Sequence, residues 1–270
     1  MSTTSAAAYG LRLDGLSDDR WLEVTSADHW PLVVVSPEPS RTAKEVSLDR
    51  EALRLHIRSD VPHTELVHPL LGRVASELAL ARGDDAMHSG AIVGAEGAWC
   101  LIGPKGHGKS TLIAALAAKG IPVLTDDVLV FSNGTAKAGP RCVDLRPGAD
   151  RYGASAPVRP DDPRRRITLP PINAEYLMAG VIHLEWSAEE LSLRSLGHRA
   201  ALERMLSLRS EKGFPSDFGK LLDLAALPTH LLRRPNSWSE MPACVYLVAQ
   251  LIGEATPAEA GTRMIEPAEL

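Results

Sequence analysis

Residues 99–131, WCLIGPKGHGKSTLIAALAAKGIPVLTDDVLVF, decide the fold of this chain. The segment opens with the apolar run 99–102, which predicts a short buried strand. Residues 103–110, GPKGHGKS, match the pattern G-x-x-x-x-G-K-[ST] in full, and residues 110–119 are rich in helix formers. The alternative is an ordinary glycine-rich turn before a helix. A full match between a strand and a helix favours a phosphate-binding loop at 103–110.

The residue types in this loop suit a nucleoside triphosphate bound with Mg²⁺. Gly103, Gly106 and Gly108 allow backbone turns that a Cβ would forbid, so successive N–H groups can point at phosphate oxygens. The following helix adds the positive end of its dipole to the same place. Lys109 is positioned to reach the β- and γ-phosphates, and the hydroxyl of Ser110 is positioned to bind Mg²⁺.

Two adjacent acids, Asp126 and Asp127, follow the next predicted strand at 121–125. A strand, a phosphate-binding loop, a helix and a second strand make a βαβ unit, in which the carboxyl end of the second strand faces the same crevice as the loop. There, one carboxylate can hold Mg²⁺ and the other can accept a proton from a hydroxyl nucleophile. A solvated turn is the alternative, but the position favours a functional pair.

A β-hairpin is predicted over 87–102, with its turn at 94–97, and it delivers the chain into the phosphate-binding loop. His88 lies at the start of its first strand, and an isolated histidine in such a place is usually structural. Before the hairpin, Pro69 suits the first position of a helix whose apolar residues recur at helical spacing up to Gly83.

The chain divides by pattern into a small N-terminal β-rich region, residues 1–62, and a main domain, residues 63–270. Segments 21–25, 32–35 and 52–58 have the short, partly alternating apolar pattern of strands in a half-buried sheet. This region is either a plain β-layer packed on the main domain or a layer that helps to bind a substrate.

Residues 155–171 are rich in Pro, Asp and Arg and predict a long mobile loop. This segment contains three successive arginines, Arg164, Arg165 and Arg166. Their side chains suit an acidic partner or the oxygens of a transferring phosphoryl group. The alternative is a solvated run of charges.

The C-terminal part alternates between strands and helices. Segments 179–186 and 191–196 predict a pair of strands. Further elements are predicted as helices at 199–208, 216–224 and 237–252, with a strand at 230–234.

Composition limits the class of protein. The chain has 44% hydrophobic and 23% charged residues, as is typical of a soluble globular protein, and no apolar run approaches the about 18 residues that span a bilayer. A net charge of -5 gives no sign of nucleic-acid binding. Cys100, Cys142 and Cys244 lack metal-ligand spacing and predict reduced core thiols. Because the start of the chain also lacks the pattern of a signal peptide, we expect a cytoplasmic protein with no membrane or nucleic-acid partner.

The compact order of loop and acid pair, with His88 in the hairpin before them, resembles the HPr kinase/phosphorylase family. That family shares a nucleotide-binding core with the ATP-dependent phosphoenolpyruvate carboxykinases. The likeness is clearest over 87–146, and includes Leu-Arg-Pro at 145–147. It implies an α/β fold with a P-loop core of this type, ATP and Mg²⁺ as cofactors, and an ability to form homo-oligomers.

The resemblance also implies roles for individual residues. Asp126 is the expected base, Asp127 and Ser110 are the expected metal contacts, and His88 is an accessory group by the transferred phosphate, alongside Lys109. The residues expected to bind nucleotide are Gly103, Lys105, Gly106, His107, Gly108, Lys109, Ser110 and Thr111.

Departures from the family pattern bear on the substrate. The loop ends Gly-Lys-Ser-Thr, where regulatory HPr kinases usually have Gly-Lys-Ser-Glu, and the N-terminal region does not resemble their regulatory domain. The chain is more similar to HPr-kinase-related proteins of bacterial gene clusters, some of which phosphorylate a serine of a ribosomally made peptide precursor, as with lasso peptides. We therefore expect transfer of the γ-phosphoryl group to a hydroxyl of a peptide, a protein or a small molecule. A nucleotide hydrolase or switch, and a non-catalytic nucleotide-binding partner, are the alternatives.

Overall fold

A computed structural model describes residues 4–16, 19–38, 45–153, 155–159, 162–188, 190–208 and 218–253. The chain forms two compact units, each built from two stretches of sequence. The first unit comprises Met1–Ala86 and Val128–Glu175, and the second comprises Met87–Asp127 and Tyr176–Leu270. This division does not coincide with the predicted boundary after residue 62.

The described residues form a mixed α/β structure with more strands than helices. The strands are β1 (Thr4–Ala8), β2 (Leu11–Asp14), β3 (Glu23–Thr25), β4 (Leu32–Glu38), β5 (Val46–Asp49), β6 (Arg54–Arg58), β7 (Asp85–Met87), β8 (Gly90–Gly94), β9 (Gly97–Ile102), β10 (Val123–Thr125), β11 (Leu129–Ser132), β12 (Thr135–Lys137), β13 (Cys142–Leu145), β14 (Ser155–Arg159), β15 (Asp162–Thr168), β16 (Ile172–Asn173), β17 (Glu175–Trp186), β18 (Ser192–Leu196) and β19 (Thr229–Arg234). The α-helices are α1 (His63–Glu65), α2 (Leu71–Ala81), α3 (Lys109–Ala118), α4 (His198–Leu208), α5 (Phe218–Ala226) and α6 (Met241–Leu251).

The first unit is built on a seven-stranded sheet in the order β16-β3-β1-β2-β4-β6-β5. Its strands alternate as predicted: in β6, Leu55 and Ile57 are buried while their neighbours are more exposed. Leu71 and Val74 of α2 belong to the same buried cluster as these two residues. Because the helix and the N-terminal sheet share one core, a boundary after residue 62 would cut through it.

The helix predicted from Pro69 to Gly83 is present as α2, and it is preceded by a turn that the sequence pattern did not indicate. A π-helical turn at Leu66–Leu70 links α1 to α2, and His68 within it has extended dihedral angles (φ -153°, ψ 125°). At the other end, the N–H of Asp84 bonds to the carbonyl of Ala79, and Gly83 takes a positive φ of 80°. The predicted glycine stop is therefore confirmed.

The segment predicted as a mobile loop at 155–171 is mostly a β-hairpin, so that prediction is wrong. Strands β14 and β15 pair in a three-stranded sheet ordered β13-β15-β14, while residues 160 and 161 lie outside the described ones. Alternation along β15 buries Arg166 and exposes Arg165. The carboxylate of Asp144 on β13 accepts two hydrogen bonds from Arg166, at 2.6 Å and 2.7 Å. Asp144, 22 positions away in sequence, therefore compensates the buried charge of Arg166. The run of three arginines gives no sign of this partner.

Breaking this buried ion pair should destabilise the fold. We expect Asp144→Ala to lower the free energy of unfolding by about 3–5 kcal/mol, because it leaves the charge of Arg166 buried without its carboxylate. The double variant Asp144→Ala/Arg166→Met should lose less of the free energy of unfolding, since it removes both charges. Denaturant unfolding measures both values, with the exposed Arg165→Ala as the control, expected within about 0.5 kcal/mol of the parent. An Asp144→Ala protein as stable as the control would contradict the assignment.

The second unit contains a sheet whose strands follow the order β10-β8-β9-β17-β19-β18. Strand β17 is parallel to both β9 and β19, and β10 runs in the same direction as β9 because each is antiparallel to β8. The predicted hairpin, with its turn between Gly94 and Gly97, is confirmed. The predicted pairing of 179–186 with 191–196 is wrong, because β19 lies between β17 and β18.

The helices of this unit follow the predicted ones closely. Helix α3 packs against α6, and α4 packs against α5. Residues 216 and 217 of the predicted 216–224 helix lie outside the described part of the chain, and α6 is preceded by a 3-10 turn at Trp238–Glu240. All three cysteines are buried and unbridged, as predicted. Among the described residues, none of the helices combines the length and the apolar character that crossing a membrane requires.

Candidate functional site

The segment 103–110 forms a tight loop between β9 and α3, in the second unit. Gly103 and Gly108 have positive φ values of 157° and 72°. A Cβ at Gly103 would lie 2.7 Å from the carbonyl oxygen of Leu184, and one at Gly108 would lie 2.6 Å from Nη2 of Arg234. Gly103 is therefore required by its conformation and by the backbone of Leu184, and Gly108 is favoured by its left-handed conformation.

Helix α3 begins at Lys109, with Gly108 in the left-handed conformation as its cap residue. Among the described residues, no side chain caps this end of the helix. The first N–H groups of a helix have no partner within the helix, and they attract anions together with the positive end of the helix dipole. The geometry of a strand, a glycine loop and an uncapped helix end suits a phosphate group.

Lys109 is folded along this loop and is only 7% exposed. Its Nζ donates a hydrogen bond to the carbonyl oxygen of Gly103 at 2.6 Å, with a longer contact of 3.4 Å to that of Pro104. These carbonyls satisfy the ammonium group and hold its charge beside the loop. The side chain is long and unbranched, so it can exchange these partners for phosphate oxygens.

Ser110 joins the loop to the acid pair. Its Oγ donates a hydrogen bond to Oδ1 of Asp126 at 3.1 Å. Asp126 follows β10 and is 8% exposed. Since β9 and β10 run in the same direction, their carboxyl ends meet at one edge of the sheet, which brings the two residues together. The convergence predicted from the βαβ pattern is therefore observed for Asp126.

Asp127 faces a different partner, His88. Nδ1 of His88 lies 2.8 Å from the backbone oxygen of Asp127 and 3.2 Å from its Oδ1. The hydrogen bond with the Asp127 side chain raises the pKa of His88, partial burial and the charge of Lys109 oppose the rise, and the charge of Asp127 adds to it. Asp127 also has a positive φ of 69°, which is uncommon for a residue other than glycine. Its carboxylate and the imidazole form a hydrogen-bonded pair of titratable groups.

The contacts pair the acids differently from the roles that the family resemblance implies. The resemblance implies that Asp127 holds the metal together with Ser110 and that Asp126 acts as the base. In the structure the Ser110 hydroxyl contacts Asp126, whereas Asp127 contacts His88. The sequence could not separate the two acids, because adjacent residues after a strand differ only in the direction of their side chains.

A hydroxyl and a carboxylate that touch each other are a donor set that fits Mg²⁺. This cation prefers oxygen ligands and is usually bound through one or two carboxylates together with substrate phosphates and water. Ser110 and Asp126 supply two such oxygens beside the helix end that suits a phosphate. These residues therefore fit a nucleotide-bound Mg²⁺.

Two residues that contact the loop were missed by the sequence reasoning. Trp186 donates from Nε1 to the carbonyl oxygen of Gly106 at 3.2 Å, and Arg234 donates from Nη2 to those of His107 and Gly108 at 3.0 and 3.1 Å. Both residues end strands, β17 and β19, that run parallel to β9. A polar or cationic residue at the carboxyl end of a predicted strand was the signal that could have indicated them.

The other predicted nucleotide-binding residues lie on the same loop and helix. Lys105 is exposed, and Thr111 is partly buried in the first turn of α3. The ring of His107 lies 6.0 Å from that of Trp186. Arg164 and Arg166, for which the sequence left open a phosphate or acidic partner and a solvated run, lie in the first unit, where Arg164 bonds to Asp162 and Arg166 to Asp144.

The raised pKa of His88 gives a prediction with a defined sign. In the folded chain the pKa of His88 lies above its ordinary value of about 6.5. As long as Asp127 is ionised, protonated His88 therefore contributes its full stabilisation below about pH 6.5. This contribution is lost as the pH rises through the raised folded value. Asp127→Asn should therefore lower the pKa of His88 measured by NMR titration, whereas Asp223→Asn, on an exposed position of α5, should not. The same His88 pKa in both variants would contradict the pairing.

Comparison with known proteins finds a similarity in the search of solved structures only. No protein-family model matches the chain, and no curated protein matches it. Among solved structures, 51 chains match, including an HPr(Ser) kinase/phosphatase from Coxiella burnetii. That match covers 62% of this chain and 95% of the other, at 13% sequence identity and a TM-score of 0.32. The chain is thus distantly similar to a protein of the family that its sequence motifs resemble.

Proposed function

We propose that this chain is an ATP- and Mg²⁺-dependent kinase that transfers the γ-phosphoryl group to a hydroxyl. The observation that carries the proposal is the contact between Ser110 and Asp126, at 3.1 Å, which brings an acid of the pair to the phosphate-binding loop. A loop alone would suit any bound phosphate. A loop joined to a carboxylate, with a second titratable pair beside it, suits a phosphoryl transfer.

The loop and helix end would hold the triphosphate. Backbone N–H groups at the start of α3 would donate to its oxygens, and Lys109 would leave the Gly103 carbonyl to contact the β- and γ-phosphates. Ser110 and Asp126 would hold Mg²⁺, which neutralises charge on the phosphates when it is bound. Together these groups keep the γ-phosphoryl in one position and stabilise the charge that spreads over it during transfer.

Asp127 would act as the base that takes the proton from the acceptor hydroxyl. Its side chain is partly exposed, so an acceptor can reach it, and its contact with His88 keeps the carboxylate oriented. A protonated His88 would also stabilise the carboxylate in its ionised form, which is the form that accepts a proton. His88 would thus act as the accessory group that the resemblance implies, through its contact with Asp127.

The acceptor in this proposal is a serine hydroxyl of a peptide or protein, with a ribosomally made peptide precursor as the favoured case and a small-molecule alcohol as the second. The resemblance of residues 87–146 to HPr-kinase-related proteins supports this order. The chain is proposed to work in the cytoplasm, and homo-oligomer formation stays a prediction.

Incubation with γ-labelled ATP and Mg²⁺ tests the proposal, with serine-containing peptides, proteins and small alcohols as separate acceptors. We expect label on an acceptor hydroxyl, and its loss when Mg²⁺ is chelated. Free labelled phosphate in every reaction, at a rate that no acceptor changes, would indicate a hydrolase or switch. Tight ATP binding with neither product would indicate a binding protein, and either result would overturn the kinase assignment.

A further inference from the structure

The rear of the phosphate-binding loop is held by Arg234 and Trp186. The guanidinium carbon of Arg234 lies 4.4 Å from the centre of the Trp186 ring, so the two side chains are stacked. Arg234 is 1% exposed and bonds to the backbone oxygens of His107 and Gly108, while Trp186 bonds to that of Gly106. Three consecutive carbonyls of the loop are therefore held from one side.

Holding these carbonyls fixes the direction of the N–H groups. In a trans peptide the C=O and the following N–H point in opposite directions, because the peptide unit is planar. The carbonyls of His107 and Gly108 point toward Arg234, so the N–H groups of Gly108 and Lys109 point away from it. Those are the groups at the start of α3 that suit a phosphate. Arg234 therefore orients the backbone N–H groups that would bind the phosphate, without contacting the phosphate itself.

The positive charge of Arg234 also favours the binding of a phosphate at the loop. A guanidinium stays protonated even when it is buried, and it is at its strongest electrostatically where water is excluded. Stacking on Trp186 keeps its plane and its donors in place, and the absence of a side chain at Gly108 leaves the room for its Nη2. A fixed positive charge behind the loop favours an anion in front of it.

We propose that Arg234 and Trp186 are positioning residues that hold the loop in its phosphate-binding form; this inference rests on the proposed function. They act on the affinity for the phosphate chain through the backbone at 106–109. The effect should not depend on the base of the nucleotide, because neither residue needs to contact it.

Calorimetric binding of ATP and of inorganic tripolyphosphate, each with Mg²⁺, tests this inference. Arg234→Lys keeps the positive charge but loses the planar guanidinium with its forked donors. We expect this variant to lower the affinity for both ligands by the same factor, about tenfold to a hundredfold. Trp186→Phe keeps a ring under the guanidinium but loses the bond to Gly106, and a loss of about threefold to tenfold is expected. Arg233→Lys is the matched control, because Arg233 precedes Arg234 on β19 and bonds to Glu185 instead.

The design separates positioning from a general structural role. Thermal unfolding of each ligand-free variant gives a temperature at which all of them are folded, and binding is measured there. If Arg234→Lys does not fold, Trp186→Phe carries the test. Parental affinities in both variants, or a loss for ATP without one for tripolyphosphate, would overturn this inference and leave the proposed function standing. A parent chain that binds neither ligand would overturn both.

Discussion

Lys109→Ala should reduce phosphoryl transfer by about 10²–10³-fold, with the fold retained, because the variant removes the positive charge proposed to stabilise the transferring group. The same lysine also stabilises the ligand-free loop, since its Nζ bonds to the carbonyl of Gly103 at 2.6 Å. Loss of that bond should cost about 1 kcal/mol of stability, which leaves the chain folded. Initial rates at saturating and at low ATP separate the effect on transfer from the effect on nucleotide binding.

Lys119→Ala is the matched control for this variant, because Lys119 follows the other end of α3 and is exposed. It should transfer phosphate at the parental rate. Urea unfolding of both variants shows whether the fold is retained. A Lys109→Ala protein that is folded and as active as the control would remove this lysine from the proposed machinery.

Asp126→Asn should have an effect of similar size, about 10²–10³-fold on transfer, and should change the dependence on Mg²⁺. The amide oxygen can still accept the hydrogen bond from Ser110, so the local structure should be kept while the negative charge is lost. A neutral oxygen binds a hard cation more weakly than a carboxylate does. We therefore expect a higher Mg²⁺ concentration for half-maximal rate.

Asp127→Asn distinguishes the two acids. Because the Asp127 carboxylate is the proposed base, its loss should reduce the rate of phosphoryl transfer by about 10²–10⁴-fold. The Mg²⁺ requirement should stay near the parental value. Asp223→Asn, on an exposed position of α5, should change neither quantity. If Asp127→Asn raised the Mg²⁺ requirement and Asp126→Asn did not, the roles would be those that the family resemblance implies, and our reversed assignment would be wrong.

Much of the second unit could be predicted because its signals are local. The hairpin with its turn at Gly94–Gly97, the glycine loop and α3 each depend on residues close together in sequence. The meeting of Ser110 with Asp126 could also be expected, because a βαβ unit brings the carboxyl ends of its strands to one edge.

The errors concern residues whose partners lie far away in sequence. Arg166 is one of three successive arginines, and nothing in that run indicates that Asp144 will neutralise it in a buried pair. The helix after residue 62 has an apolar face of ordinary appearance, and only packing shows that the N-terminal sheet covers it. Pairing of β19 between β17 and β18 likewise depends on a crossover that turn signals do not specify.

By itself, the sequence determined the glycine loop at 103–110, the strand and helix on either side of it, and the presence of two acids one short helix later. These follow from backbone conformations and residue spacings that act over a few positions. Only the tertiary structure decided which acid meets Ser110, which meets His88, and that Arg234 and Trp186 hold the loop from behind. Those contacts depend on the direction in which side chains leave neighbouring strands, and that direction is set by how the strands pair across the sheet.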